Sequence, residues 1–165
     1  MAKTDEDALA EAYNRALSLE KSGDFDLAAA AYSEVLALDP DDHGGAAVRL
    51  ASMKRGEVPT RAPEAYVTTL FDQHAEVFDK VLVEDLGYHV PLLLRQRLIE
   101  LGETSFDRML DLGCGTGLTG GALEDMVDDA TGLDLAENMV EIAHAKGLYD
   151  TLYVADAVDY LEDND

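Results

Sequence analysis

The chain is poor in basic residues: 12 Lys and Arg stand against 35 Asp and Glu, a formal charge of −23 over 165 residues. So acidic a surface repels nucleic-acid phosphates and anionic membranes, which argues against a DNA, RNA or bilayer partner. Cysteine is nearly absent. Cys114 stands alone, so no intramolecular disulfide can form, and no Cys–His pairing is visible that would activate it as a nucleophile. Long apolar runs are missing too, so nothing reads as a membrane span. The start, Met-Ala-Lys-Thr-Asp-Glu-Asp, has no apolar core of a signal peptide, and the expected location is cytoplasmic. What remains is a chain with 47% hydrophobic residues, enough to bury a core. Its length suits one ordinary domain, or a small domain and part of another.

Residues 7–39 are alanine-rich with a helical period. Leu9, Tyr13, Ala16 and Leu17 make one stripe, and Leu27, Ala28, Ala31, Tyr32, Val35 and Leu36 a second. Gly23-Asp24 parts them and Asp39-Pro40 ends the second, which predicts a helical hairpin. Its second half, from Gly23 to Pro40, resembles a tetratricopeptide (TPR) repeat, with Ala28 allowing close helix approach and Phe25 and Tyr32 filling the space beside it. The first half departs from that pattern at Ala12, Arg15-Ala16 and Leu19. A second repeat begins near His43 and is cut short by Gly56 and Pro59. The expected organisation is a TPR-like helical region at 1–56, a linker at 57–64, and an α/β region at 65–165. Such a short array reads either as a peptide-docking surface or as a helical cap on the domain that follows.

Residues 109–117, Met-Leu-Asp-Leu-Gly-Cys-Gly-Thr-Gly, carry the most chemistry. An apolar strand ends at Asp111, a loop follows with glycine at 113, 115 and 117, and a helix begins. Glycine permits a sharp turn and close backbone approach to a ligand, and a strand, glycine loop and helix start make a nucleotide-cofactor cradle. The dinucleotide pattern needs glycine at 118, where this chain has Leu, and Asp111 would repel a pyrophosphate. A nicotinamide-dependent oxidoreductase is therefore disfavoured, and a cofactor with positive charge and no phosphate is favoured. Two further short strands end at Asp134 and just before Asp156. The three aspartates are spaced 23 and 22 residues apart, one βα unit each, so all three should reach the same carboxyl edge of a parallel sheet.

Asp111-Leu-Gly-Cys-Gly-Thr-Gly117, Gly132-Leu-Asp134-Leu-Ala-Glu-Asn-Met139 and Ala155-Asp156-Ala157 together resemble the class I methyltransferases that use S-adenosylmethionine (SAM). The resemblance implies a Rossmann-like fold and SAM as cofactor. It implies that Asp111, Gly113, Cys114, Gly115, Thr116 and Gly117 hold the methionine end of SAM and that Asp134 and Leu135 lie at the ribose. Met139, Asp156 and Ala157 would lie at the adenine, with no metal involved. Ahead of this region, Tyr66, Leu70, Phe71, His74, Ala75 and Phe78 share one helical face. In this family a similar helix lies over the cofactor, which suggests Phe71, His74 and Phe78 as lid residues; the same stripe also reads as plain core. A further helix, Val90 to Leu101, carries Leu94, Leu98 and Leu101 at core spacing.

The family fold has seven strands and this sequence supplies about three, so the expectation is the front half of a catalytic domain, a poor catalyst alone. The first strand is then an apolar edge, to be covered by more of a longer chain or by another subunit, a homo-oligomer included. The expected function is methyl transfer from SAM to a small molecule or a protein side chain, with no catalytic residue assigned. The rival is a non-catalytic adaptor, in which the TPR-like region binds a protein partner and the half-domain is vestigial.

Overall fold

The computed structural model describes residues 5–164. The outer limits expected at residues 1 and 165 fall outside them. Two compact units divide between Thr69 and Leu70.

The first unit is helical. α1 (Asp5–Ser22) and α2 (Phe25–Leu38) form the hairpin. Gly23 turns between them at φ 84°, a left-handed conformation that closes a helix without strain only when no Cβ is present. Ala12, Ala16, Ala28 and Ala46 are almost wholly buried together with Tyr32 and Val35. A core built on alanine brings helix axes close, and Tyr32 supplies the volume the alanines lack. The Tyr32 hydroxyl donates to Glu20 Oε2 at 2.6 Å, and Arg49 reaches both Glu20 and the Tyr13 hydroxyl.

α3 (Ala46–Ser52) adds Leu50 to the same core. Its start is held by Asp42, whose carboxylate accepts from the N–H groups of Ala46 at 2.6 Å and Ala47 at 3.0 Å. Two expected packing residues are corrected here. Leu27 is 62% exposed and Phe25 44% exposed. The buried arc of α2 runs through Ala28, Ala31, Tyr32 and Val35, the i, i+3, i+4, i+7 series; Leu27 lies off it and Phe25 stands at the outer end.

α4 (Glu64–Asp79) begins after the turns at 56–63. The division between units falls inside this helix, whose first turns belong to the helical unit. A side chain at Gly45 would collide with the ring of Tyr66.

In the second unit, the rest of α4 runs through a π-helical segment, Lys80–Asp85, to α5 (Val90–Glu100). There follow β1 (Phe106–Leu112), α6 (Leu118–Leu123), β2 (Val127–Asp134), α7 (Glu137–Lys146), β3 (Thr151–Val154) and α8 (Ala157–Asp163). The three strands are parallel in the order β1-β2-β3. This is α/β architecture, with βα units bringing every strand's carboxyl end to one edge.

β1 lies at the end of the three-stranded sheet, and its apolar Leu110 and Leu112 are exposed. α5 departs from expectation: Leu94 and Leu101 are exposed and Leu98 only half-buried. The helix is held instead by Arg95, which donates to the Ala122 carbonyl at 2.8 Å and pairs with Asp125. Among the described residues no helix is long and apolar enough to cross a membrane.

Candidate functional site

The register of the sheet sets the site. Asp111 pairs with Gly132 and Asp134 with Val154, so Asp111 and Asp134 stand at the carboxyl ends of β1 and β2, and Asp156 follows β3 by two residues. Between β1 and α6 the chain turns through Gly113, Gly115 and Gly117 at φ 77°, 53° and 88°. All three are left-handed, a conformation that costs other residues about 1–2 kcal/mol each. The glycines are therefore required by the backbone itself.

The loop is tied down from several directions. The N–H groups of Gly113 and Cys114 both donate to the Leu133 carbonyl, at 2.8 and 2.9 Å. Asp134 shares its carboxylate between Gly115 N–H at 2.8 Å and Ala136 N–H at 3.0 Å. Thr116 is 1% exposed and donates its hydroxyl to Asp79. Lys146 Nζ donates to Asp79 Oδ2 at 2.6 Å and to the Thr116 carbonyl at 2.7 Å. Neither Asp79 nor Lys146 was legible as a site residue in the sequence.

Tyr149 was missed as well. Its hydroxyl donates to Asp111 Oδ2 at 2.7 Å and accepts from the Gly120 N–H at 3.1 Å. Burial pushes the Asp111 carboxyl above the ordinary carboxylate range; the Tyr149 hydrogen bond opposes that shift and the nearby Asp134 adds to it. Burial, then the Asp111 bond, also raises the Tyr149 phenol, which stays protonated and keeps donating. Cys114 is buried, and burial with two carboxylates nearby pushes its thiol up to about 12. A thiolate is the reactive form, so Cys114 is an inert filler of the loop.

The other sequence candidates are placed as follows. Met139 is 1% exposed and packs with Ala75, Ala136 and Phe78, so its side chain serves as core in this conformation. Asp156 caps α8, accepting from the N–H groups of Val158 at 2.7 Å and Asp159 at 3.2 Å through one oxygen. Leu135 and Ala157 are half-buried beside their aspartates.

Phe71, His74 and Phe78 do lie on one face of α4. With Leu70, Val77, Val81 and Leu82 they line an apolar groove of about 210 Å³. Phe71 and Phe78 meet edge to face at 5.9 Å. His74 Nδ1 lies 2.7 Å from the Leu70 carbonyl; a carbonyl only accepts, so Nδ1 carries the proton and Nε2 is left as the free ring nitrogen. A side chain at Gly115 would meet the Phe78 ring at 3.9 Å, so α4 runs beside the glycine loop. It is docked there by polar contacts as well: Asp72 accepts from Asn138 N–H at 2.9 Å, and the Asp72 carbonyl accepts from the Asn138 side chain at 3.2 Å.

Carboxylates at the strand ends can accept from hydroxyl or amino donors and attract positive charge. Nothing lies within 4 Å of where a side chain of Gly113 would stand, which leaves room over the loop. The charged groups at the strand ends are carboxylates, and a phosphate would be repelled by them. Among the described residues no cluster of His, Cys, Asp and Glu could hold a metal ion.

A parallel sheet with a left-handed glycine loop and acidic strand ends makes the second unit an α/β unit with its candidate site at the carboxyl edge. Residues 109–165 match the methyltransferase-domain family, and residues 10–42 match the tetratricopeptide repeat. The chain is thus similar to methyltransferases over its last third and to the tetratricopeptide repeat within its helical unit. It is 34% identical over 76 residues to a protein of Geobacillus sp. (strain WCH70) named "Putative methyltransferase GWCH70_2453"; the match covers 46% of this chain and 31% of that one. The chain therefore spans about a third of the length of that curated relative. A solved structure described as "DhpI-SAH complex structure" is 25% identical, with a TM-score of 0.46, and the match covers 56% of this chain and 44% of that one.

Proposed function

We propose that the second unit binds SAM and that the chain serves methyl transfer from it to a small molecule or a protein side chain. The observation that carries this reading is the joint placement of the left-handed glycine loop with Asp111 and Asp134 at one sheet edge. SAM brings its own electrophile, so the protein's share is proximity, alignment and exclusion of water.

In this reading the loop from Gly113 to Gly117 supports the methionine end, close to the Asp111 carboxylate. Asp134, now bonded to two backbone N–H groups, receives the ribose hydroxyls with its remaining lone pairs. Leu135 lies beside Asp134 at the ribose, and Asp156 keeps one oxygen outside its capping bonds, with Ala157 beside it at the adenine end. Met139 reaches the adenine only if its cover of Ala75 and Phe78 moves aside. Phe71, His74 and Phe78 line the face from which an acceptor approaches. The TPR-bearing unit, with its separate alanine core, is suited to hold a protein partner.

Calorimetric titration of the 165-residue chain with SAM and with S-adenosylhomocysteine tests the reading, repeated on Asp134→Ala. Saturable binding that is lost in the variant supports it. A folded wild-type chain that takes up neither compound rejects it and gives the adaptor role precedence.

A further inference from the structure

Glycines impose no shape of their own, so a loop with three of them must be shaped from outside. Thr116 stands between two of these glycines and is buried, yet its hydroxyl and its carbonyl are both engaged by residues far along the chain. Its hydroxyl donates to Asp79 at the end of α4, and its carbonyl accepts from Lys146 at the end of α7. Asp79 and Lys146 are themselves paired at 2.6 Å. One closed triangle thus joins α4, the glycine loop and α7.

We propose that Asp79 is a positioning residue that holds the glycine loop in its cofactor-accepting shape, acting through Thr116 and Lys146. What that shape is for rests on the function proposed above; the latch itself rests on the contacts. Asp79 and Lys146 are partly exposed, and as a surface ion pair they would contribute little. The buried hydroxyl on a carboxylate is the stronger element, because it is charge-assisted and Thr116 has no water to turn to. Holding the loop before the ligand arrives spares the ordering cost at binding, so the latch acts on affinity. α4 has a second anchor at Asp72 and Asn138 and an apolar one at Ala75. Removing the Asp79 charge therefore frees the loop while the helix stays docked.

The test uses Asp79→Asn, Thr116→Val and their double variant in the 165-residue chain. Affinity for S-adenosylhomocysteine is measured by calorimetry and backbone amide exchange by mass spectrometry. Each single variant is expected to bind about tenfold more weakly, the loss of one charge-assisted hydrogen bond, and the double variant no more weakly than either. Exchange at 113–117 should quicken in Asp79→Asn while 28–35 in the helical unit stays unchanged, which separates positioning from general loss of fold. Unchanged exchange at the loop overturns the proposal, as do additive losses in the double variant. If the wild-type chain takes up no S-adenosylhomocysteine, the cofactor reading falls and loop exchange alone decides the latch.

Discussion

Tyr149 and Asp111 are joined by a 2.7 Å hydrogen bond between a phenol and a carboxylate, and the same phenol accepts from Gly120 at 3.1 Å. One side chain from the segment before β3 thereby braces the two flanks of the glycine loop. Tyr149→Phe keeps the ring and removes the brace. The half-buried Asp111 then loses its donor, at a cost of about 1–3 kcal/mol. Urea denaturation should show the midpoint falling with little change in slope. An unchanged midpoint would mean that water replaces the phenol without loss.

Asp111 should also mark the pH dependence of stability. Its carboxyl is raised in the folded chain, so the native state holds the proton more tightly than the unfolded one. Stability is then lost as pH rises from the ordinary carboxylate value through the raised one. Asp111→Asn removes the charge and keeps an oxygen to accept from Tyr149. The variant is expected to gain on the wild type in melting temperature on going from acid to neutral pH, and to bind SAM more weakly. A difference that does not vary with pH would contradict the assignment.

Two glycines outside the loop are fixed by the same tyrosine. A side chain at Gly120 would come within 2.6 Å of the Tyr149 ring, and one at Gly132 within 3.0 Å of Tyr149 and Leu152. Gly120 is helical, so alanine there would ordinarily stabilise by roughly 1 kcal/mol. Overpacking reverses the sign, and Gly120→Ala should cost about 1–3 kcal/mol. In a Tyr149→Ala background the same substitution should be neutral or better. Thermal melts of the four variants give the coupling directly.

Cys114 should resist alkylation. With its thiol pushed up to about 12, little thiolate exists near neutral pH. Iodoacetamide is expected to leave the folded chain unlabelled over hours and to label it within minutes in urea. Cys114→Ala should retain SAM binding within a few-fold. Rapid labelling of the native chain would show that the loop opens far more often than its hydrogen bonds suggest.

The parts that were legible in the sequence are those written in local pattern. The glycine spacing, the aspartates at strand ends, the existence of the three strands and the helical hairpin all follow from periods and turn residues within a few positions. The polar braces were not legible because each joins residues far apart in the chain: Thr116 with Asp79, Asp111 with Tyr149, Asn138 with Asp72. Hydrophobic period places a residue on a face without saying what that face meets. Leu94 on α5 and Leu101 at its end have core spacing and are nevertheless exposed, and Leu27 adjoins a buried arc without joining it. The capping roles of Asp42 and Asp156 did carry a local signal, an acidic residue just before a helix. At Asp156 the resemblance to a ligand contact masked it.

The left-handed glycines have a consequence for how the chain can vary over generations. At 113, 115 and 117 the backbone takes the hand opposite to that of the helices around it. Side chains of natural chirality at all three would together remove roughly 3–6 kcal/mol. Domains commonly hold only about 5–15 kcal/mol in reserve. The loop can thus fix one such change only after stability has been gained elsewhere. Lineages of this chain should therefore change at Cys114 long before they change at the glycines on either side.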